Sequence, residues 1–133
     1  MILTDSGFWI ALGDKSDTSH SAAHAALQRW APEGLASTWP VITEVAHMLH
    51  IRVGFHATLH FMNQVARGVC YLPTHPHNAT ARMSSLMHRY RDQPMDFAVV
   101  LAEQLGEARI LSTDRRDFDI YRWNGSHSFI NLL

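Results

Sequence analysis

Pro94-Met95-Asp96-Phe97-Ala98-Val99-Val100-Leu101-Ala102-Glu103-Gln104-Leu105-Gly106-Glu107-Ala108-Arg109-Ile110-Leu111-Ser112-Thr113-Asp114-Arg115-Arg116-Asp117-Phe118 is the stretch that decides the fold. Pro94 suits the first turn of a helix, where its missing N–H costs nothing. Gly106 suits the left-handed residue that ends one. Arg109–Ser112 is short and apolar in its middle, which fits a buried strand. A helix thus leads into a strand, and a carboxylate stands at each open end: Asp96 at the helix start, Asp114 past the strand's carboxyl end. Ligands of open parallel sheets gather at that end of the strands. The rest of the chain is read for further acids sent to the same edge.

Working outward, Ile2–Thr4 is a strand candidate ending at Asp5-Ser6-Gly7, and Phe8–Leu12 continues as a short apolar turn or helix. Ser19 is placed to cap a helix in which Ala22, Ala23, Ala26, Leu27 and Trp30 share a face, stopped by Pro32-Glu33-Gly34. Leu35–Thr38 reads as a second strand. Pro40 opens a helix to about Val53, with Val41, Val45, Met48, Leu49 and Arg52 in one stripe. A further helix repeats Leu59, Met62 and Ala66 and ends at Gly68. Val69–Leu72 reads as a third strand, and Thr74–Asn78 as a turn. Ala79, Met83, Leu86, Met87 and Tyr90 mark an amphipathic helix. Ser128–Leu132 makes a fifth strand. Strands alternating with helices predict an α/β fold, a parallel sheet of about five strands flanked by helices.

Size and charge narrow the function classes. A chain of 133 residues is expected to form one domain, 1–133, with a real core. Eleven basic residues against twelve acidic ones leave a net charge near zero, so global charge announces no polyanion partner and any basic patch must be local. The single cysteine, Cys70, allows no internal disulfide, which fits a reducing compartment. No stretch reads as a signal peptide or a membrane span, and the expected location is the cytoplasm.

Asp5 and Asp114 fall at strand carboxyl ends in this arrangement. Glu44 lies in the first turns of the helix after the second strand, on the same edge, and the start of the helix bearing Asp96 can reach it. Singly, each acid has a plain explanation as a helix cap or a favourable first-turn charge. Jointly they form a cluster. Two carboxylates 5 Å apart repel by roughly 3 kcal/mol at an effective dielectric near 20, so several together take up protons or bind cations. All-oxygen ligands favour Mg²⁺ or Mn²⁺, and such an ion supports nuclease chemistry by activating water and stabilising a phosphoryl oxygen. Arg115 and Arg116 follow Asp114 directly and are either solvated or hold a nucleic-acid backbone. The pairs His20/His24 and His56/His60 have a ligand-like i, i+4 spacing but lack the intervening Glu of a zinc-protease motif. Neither a Gly-rich phosphate loop nor a Gly-x-Ser-x-Gly elbow occurs.

Four segments carry a family resemblance. They are Asp5-Ser6-Gly7 with Ala11-Leu12, Asp17 and His20; Thr38-Trp39-Pro40-Val41 with Glu44; Pro94-Met95-Asp96-Phe97-Ala98; and Leu111-Ser112-Thr113-Asp114-Arg115-Arg116-Asp117-Phe118 with Tyr121-Arg122. Together they resemble PIN-domain proteins, specifically VapC-type toxin ribonucleases of toxin–antitoxin pairs, over nearly the whole chain. The resemblance implies a PIN-like three-layer sandwich and Mg²⁺- or Mn²⁺-dependent cleavage of RNA. It also implies homodimers and a cognate antitoxin that covers the active site. By position it gives Asp5, Glu44, Asp96 and Asp114 as the acidic cluster, with Asp5, Asp96 and Asp114 as metal ligands and Asp117 as a supporting acid. Ser6 and Thr113 would be hydroxyls that orient carboxylates.

The chain departs from the pattern once. In the relatives the Met-Asp-x-Ala segment continues with a second Asp-Ala and a longer helix. Here Ala98 runs at once into Val99-Val100-Leu101, so the segment is short by about one turn, roughly 5.4 Å of rise. Either Asp96 takes the missing aspartate's place, or the site is incomplete. The alternative function is therefore a PIN-fold protein with weakened or lost catalysis that binds an antitoxin or RNA.

Overall fold

The computed structural model describes residues 1–92 and 96–133. Four short strands form one parallel sheet: β1 (Ile2–Thr4), β2 (Leu35–Ala36), β3 (Arg109–Leu111) and, at the far edge, Ile130–Asn131. The sheet order is β2, β1, β3 and then that last strand, which places β1 and β3 in the middle. Among the described residues seven helices flank the sheet: α1 (Ser6–Gly13), α2 (His20–Trp30), α3 (Trp39–Arg52), α4 (Phe55–Ala66), α5 (Ala79–Arg89), α6 (Phe97–Leu105) and α7 (Arg115–Ile120). A small antiparallel hairpin, β4 (Arg122–Trp123) with β5 (His127–Ser128), precedes the edge strand, which is β6.

Strand alternation explains the three layers. Successive strand residues point to opposite faces. Ile2, Leu35 and Leu111 face one side and join Phe8, Trp9, Val45 and Leu49 from α1 and α3. Leu3, Ala36 and Ile110 face the other and join Met83, Leu86 and the buried run Ala98–Ala102 of α5 and α6. Both faces are therefore apolar, which is why the strands read as continuous apolar runs.

Several expectations are corrected. Of the expected third strand, Val69–Leu72, only Tyr71 bridges to Ala36, so among the described residues the sheet has four paired strands. The stretch expected as the fifth, Ser128–Leu132, is shared: His127–Ser128 turns back on Arg122–Trp123, and Ile130–Asn131 joins β3. Ser19 stands at the start of α2 without a side-chain capping bond. The repeating Leu59 and Met62 of α4 lie on its exposed side, and Phe61 is the residue of that helix that enters the core. Phe61 reaches Trp9, and an aromatic contact outweighs the spacing pattern there. The expected role of Pro94 in opening a helix falls outside the described residues. The helix begins at Phe97, with Asp96 as its cap.

Candidate active site

Four helix starts, of α1, α3, α6 and α7, converge with the ends of β1, β2 and β3 on one edge of the sheet. Asp5 follows β1 directly and caps α1, its Oδ1 accepting the Ser6 N–H at 2.7 Å. Asp114 lies just past the end of β3 and caps α7, its Oδ1 accepting the Asp117 N–H at 3.1 Å. Asp96 caps α6, its Oδ1 accepting the Ala98 N–H at 2.7 Å. The plain reading of these acids as caps therefore holds, and it is also what aims them. A carboxylate that accepts a first-turn N–H sits at the positive end of the helix dipole.

Polar bonds between neighbouring strands hold this edge together. Thr4 Oγ1 donates to Ala36 O at 3.0 Å, and Ser37 Oγ donates to Thr4 O at 3.0 Å. Trp9 Nε1 donates to Thr4 Oγ1 at 2.9 Å, which anchors α1 against the end of β1. Ser112 ties β3 into the same set. Its Oγ donates to Asp5 Oδ2 at 3.0 Å and accepts the Asp114 N–H at 3.0 Å.

Glu44 arrives from α3, which Thr38 caps by accepting the Val41 N–H at 3.4 Å. Asp5, Thr38, Pro40, Val41, Glu44, Asp96 and Phe97 line a cleft of about 160 Å³. Glu44 is exposed at this cleft, whereas Asp5 is only 8% exposed. Asp114 is exposed, and its charge acts on both Asp5 and Asp96.

The electrostatics follow from this crowding. Burial, and then the Asp5 charge, push the Asp96 carboxyl up to about 8; Glu44 and Asp114 add to the effect, and the Ala98 N–H opposes it. Burial also raises Asp5, against the Ser6 N–H and the Ser112 hydroxyl, which favour its charged form. Asp117 is raised by burial and by its hydrogen bond with Asp114. Burial and the charges of Asp96, Asp117, Asp114 and Asp5 raise the Tyr121 phenol. Carboxylates that raise one another in this way form a site short of positive charge.

The donors are all oxygen, which suits a hard divalent cation. Among the described residues, however, no three or more His, Cys, Asp or Glu side chains could hold a metal ion as they stand. His20 Nδ1 lies 2.7 Å from Ala11 O, and its ring centroid is 6.4 Å from that of His24.

The supporting residues are partly rearranged from the expectation. Ser6 Oγ lies 3.4 Å from Asp5 Oδ1. The hydroxyl that links two acid-bearing segments belongs to Ser112. Thr113 is exposed and packs against Gly7, where an added Cβ would collide with its Oγ1. The signal for Ser112 was its position two residues before Asp114, the spacing of a side-chain-to-backbone turn. Arg115 donates to Leu133 O at 2.6 Å, and the Arg116 charge bears on Asp117.

The sequence matches no protein-family model. The chain is 26% identical over 132 residues to ribonuclease VapC26 of Mycobacterium tuberculosis (strain ATCC 25618 / H37Rv), covering 96% of this chain and 97% of that protein. Its fold matches the crystal structure of Mycobacterium tuberculosis VapC20, a toxin that cleaves the sarcin–ricin loop. The TM-score is 0.77 at 18% identity, over 87% of this chain and 92% of the other.

Proposed function

We infer that this chain is a VapC-type PIN-domain protein, and that it acts as the endoribonuclease of a toxin–antitoxin pair, cutting RNA at the acid cleft. The observation that carries this reading is the convergence of Asp5, Glu44, Asp96 and Asp114, from four separate segments, on one edge of a PIN-type sheet. The near full-length likeness to a ribonuclease supports the same reading. It takes residues 1–133 as one PIN-like domain acting in the cytoplasm. No helix among the described residues is long and apolar enough to cross a membrane.

Asp5, Asp96 and Asp114 would hold Mg²⁺ or Mn²⁺, drawn closer together than they stand without it. A bound ion would lower the barrier by activating water and stabilising charge on a phosphoryl oxygen. Glu44, open at the cleft, would accept a proton from the attacking water. Ser112 holds the Asp5 carboxylate and the Asp114 backbone in fixed relation. Ser6 and Asp117 support the acids they touch, and Thr113 fills the space that Gly7 leaves open. Arg116, and Arg115 once released from Leu133, would contact phosphates.

The expected partners are RNA, a cognate antitoxin and a second copy of the chain. An exposed apolar band runs from the end of α3 into α4 through Ile51, Val53, Phe55 and Leu59, and supports a protein partner. The second reading, a binding protein with weakened catalysis, draws on α6, where Ala98–Ala102 is buried and carries no acid. A Mn²⁺ titration followed by an RNA-cleavage assay separates the two. Metal-dependent cleavage that Glu44→Gln removes supports the ribonuclease; binding of RNA without cleavage in the wild type supports the second reading.

A further inference from the structure

The histidine pairs His20/His24 and His56/His60 each send one member to a common opening. His24 of α2 and His60 of α4 line a single cavity of about 330 Å³, whose other walls come from α1, α3, the rest of α2 and α4, and Val69. It is larger than the acid cleft and shares no lining residue with it. Buried Trp9, Leu49 and Phe61 form its apolar part. His24 and His60 are exposed, and Gln64, one turn after His60, is half-buried. An apolar floor under a few converging polar groups is the make-up of a small-molecule site.

The polar groups of the rim are donors without partners. The side chains of His24, His60 and Gln64 make no hydrogen bond to any described residue, and each can offer an N–H. No acid lines the cavity, none occurs on α2 or α4, and none stands between Glu44 and Asp92. Asp14 and Asp17, which follow the wall residue Gly13, are engaged by Ser16 and Arg52. Arg67 comes seven residues after His60 and so falls on its side of α4; it is exposed and has no ion pair among the described residues. The exposed apolar band is a separate surface. At about 3.6 residues per turn, its Phe55, Leu59 and Met62 fall on the side of α4 opposite Ala57, Phe61 and Gln64, which line the cavity.

We propose that this cavity binds a small amphipathic organic anion, an apolar ring or alkyl body carrying one carboxylate. The body lies against Trp9, Leu49 and Phe61, and the carboxylate takes the N–H groups of His24, His60 and Gln64. Charge and shape together select this occupant. A neutral apolar molecule leaves the donors of the rim unused, whereas a carboxylate makes the stronger, charge-assisted kind of hydrogen bond with them. A metal ion would meet two imidazoles above an apolar floor, and no third His, Cys, Asp or Glu among the described residues completes a site with them. Nothing in this assignment depends on the ribonuclease reading.

The test titrates 2-naphthoate into the full chain by calorimetry in EDTA, with 2-naphthalenemethanol as the uncharged counterpart. The acid should saturate one site per chain, and the alcohol should bind about tenfold more weakly. The double variant His24→Ala/His60→Ala should raise Kd for the acid about tenfold and leave that for the alcohol unchanged. Both positions are exposed, so its melting curve should match that of the wild type. Ala57→Leu, which adds bulk to the wall of the cavity, should remove binding of both probes; if it fails to fold, the histidine variant decides alone. Absent or non-saturating uptake of 2-naphthoate by the wild type overturns the proposal, as does equal affinity in the histidine variant. Binding that survives in folded Ala57→Leu overturns it too. So does binding that appears only when Zn²⁺ replaces EDTA, which would make the two histidines a metal site.

Discussion

Asp96 carries the most chemistry per atom in this molecule. It caps α6, and burial with three neighbouring acids holds its proton up to about pH 8. Asn keeps an oxygen that can accept the Ala98 N–H but carries no charge. Asp96→Asn should therefore fold at least as stably as the wild type at neutral pH without divalent metal. It should weaken Mn²⁺ binding and slow cleavage together. Isothermal titration and a cleavage time course check this pair, and equal Mn²⁺ affinities would remove Asp96 from the ligand set. Glu44 makes the opposite kind of test, because it is exposed. Glu44→Gln should abolish cleavage with an unchanged melting curve; wild-type cleavage would return Glu44 to a surface charge.

At the scale of elements, the site depends on α1 and the loop after β3 lying close together. Gly7 permits this, since a Cβ there would collide with Thr113 Oγ1. Gly7→Ala should cost about 1–3 kcal/mol, as overpacking does, and should lower cleavage by shifting the Ser112–Asp114 segment. Thermal melts with kinetics read both effects, and a variant as stable and active as the wild type would show that Thr113 rotates away freely. The α7 start supplies the basic residues of the edge. Replacing Arg115 and Arg116 by Ala should weaken RNA binding and flatten its salt dependence, with a slope smaller by roughly one for each phosphate that is no longer neutralised. An unchanged slope would leave both side chains to the solvent and to Leu133.

Across the whole molecule, the crowded acids make stability depend on pH in an unusual direction. An ordinary unfolded aspartate releases its proton near pH 4, whereas Asp96 keeps its proton to about 8 when folded. Between those values the folded chain binds more protons than the unfolded one, so stability falls as pH rises and levels off above about 8. Asp5 and Asp117 are shifted in the same direction. Asp14, Glu103 and Glu107 are held low and act oppositely, but only at more acidic pH. Melting temperatures from pH 5 to about 8.5 in EDTA should decline, and Asp96→Asn should decline less. Saturating Mn²⁺ should offset the decline increasingly as pH rises, because it binds the ionised form. A wild-type melting temperature that climbs across this window without metal would contradict the assignment.

The apolar runs of β1, β2 and β3, the glycine stops and the caps Asp5 and Asp114 were legible in the chain, because local backbone preference and burial on both faces act within a few residues. The same holds for the four acids, each beside a strand end or a helix start. Tertiary contact decided the rest. Val69–Leu72 has strand composition but finds a partner only at Tyr71, and the end of the chain splits between a hairpin and the sheet. Phe61 enters the core in place of Leu59 and Met62 because Trp9 is there to receive it. Ser112, not Thr113, links Asp5 to Asp114, since its hydroxyl donates to the Asp5 carboxylate and accepts the Asp114 N–H. Residue types and spacing announce which side chains can carry charge. Whether those charges share one cleft depends on strand order, and parallel pairing of β1 with both β2 and β3 brings segments more than a hundred residues apart to the same edge.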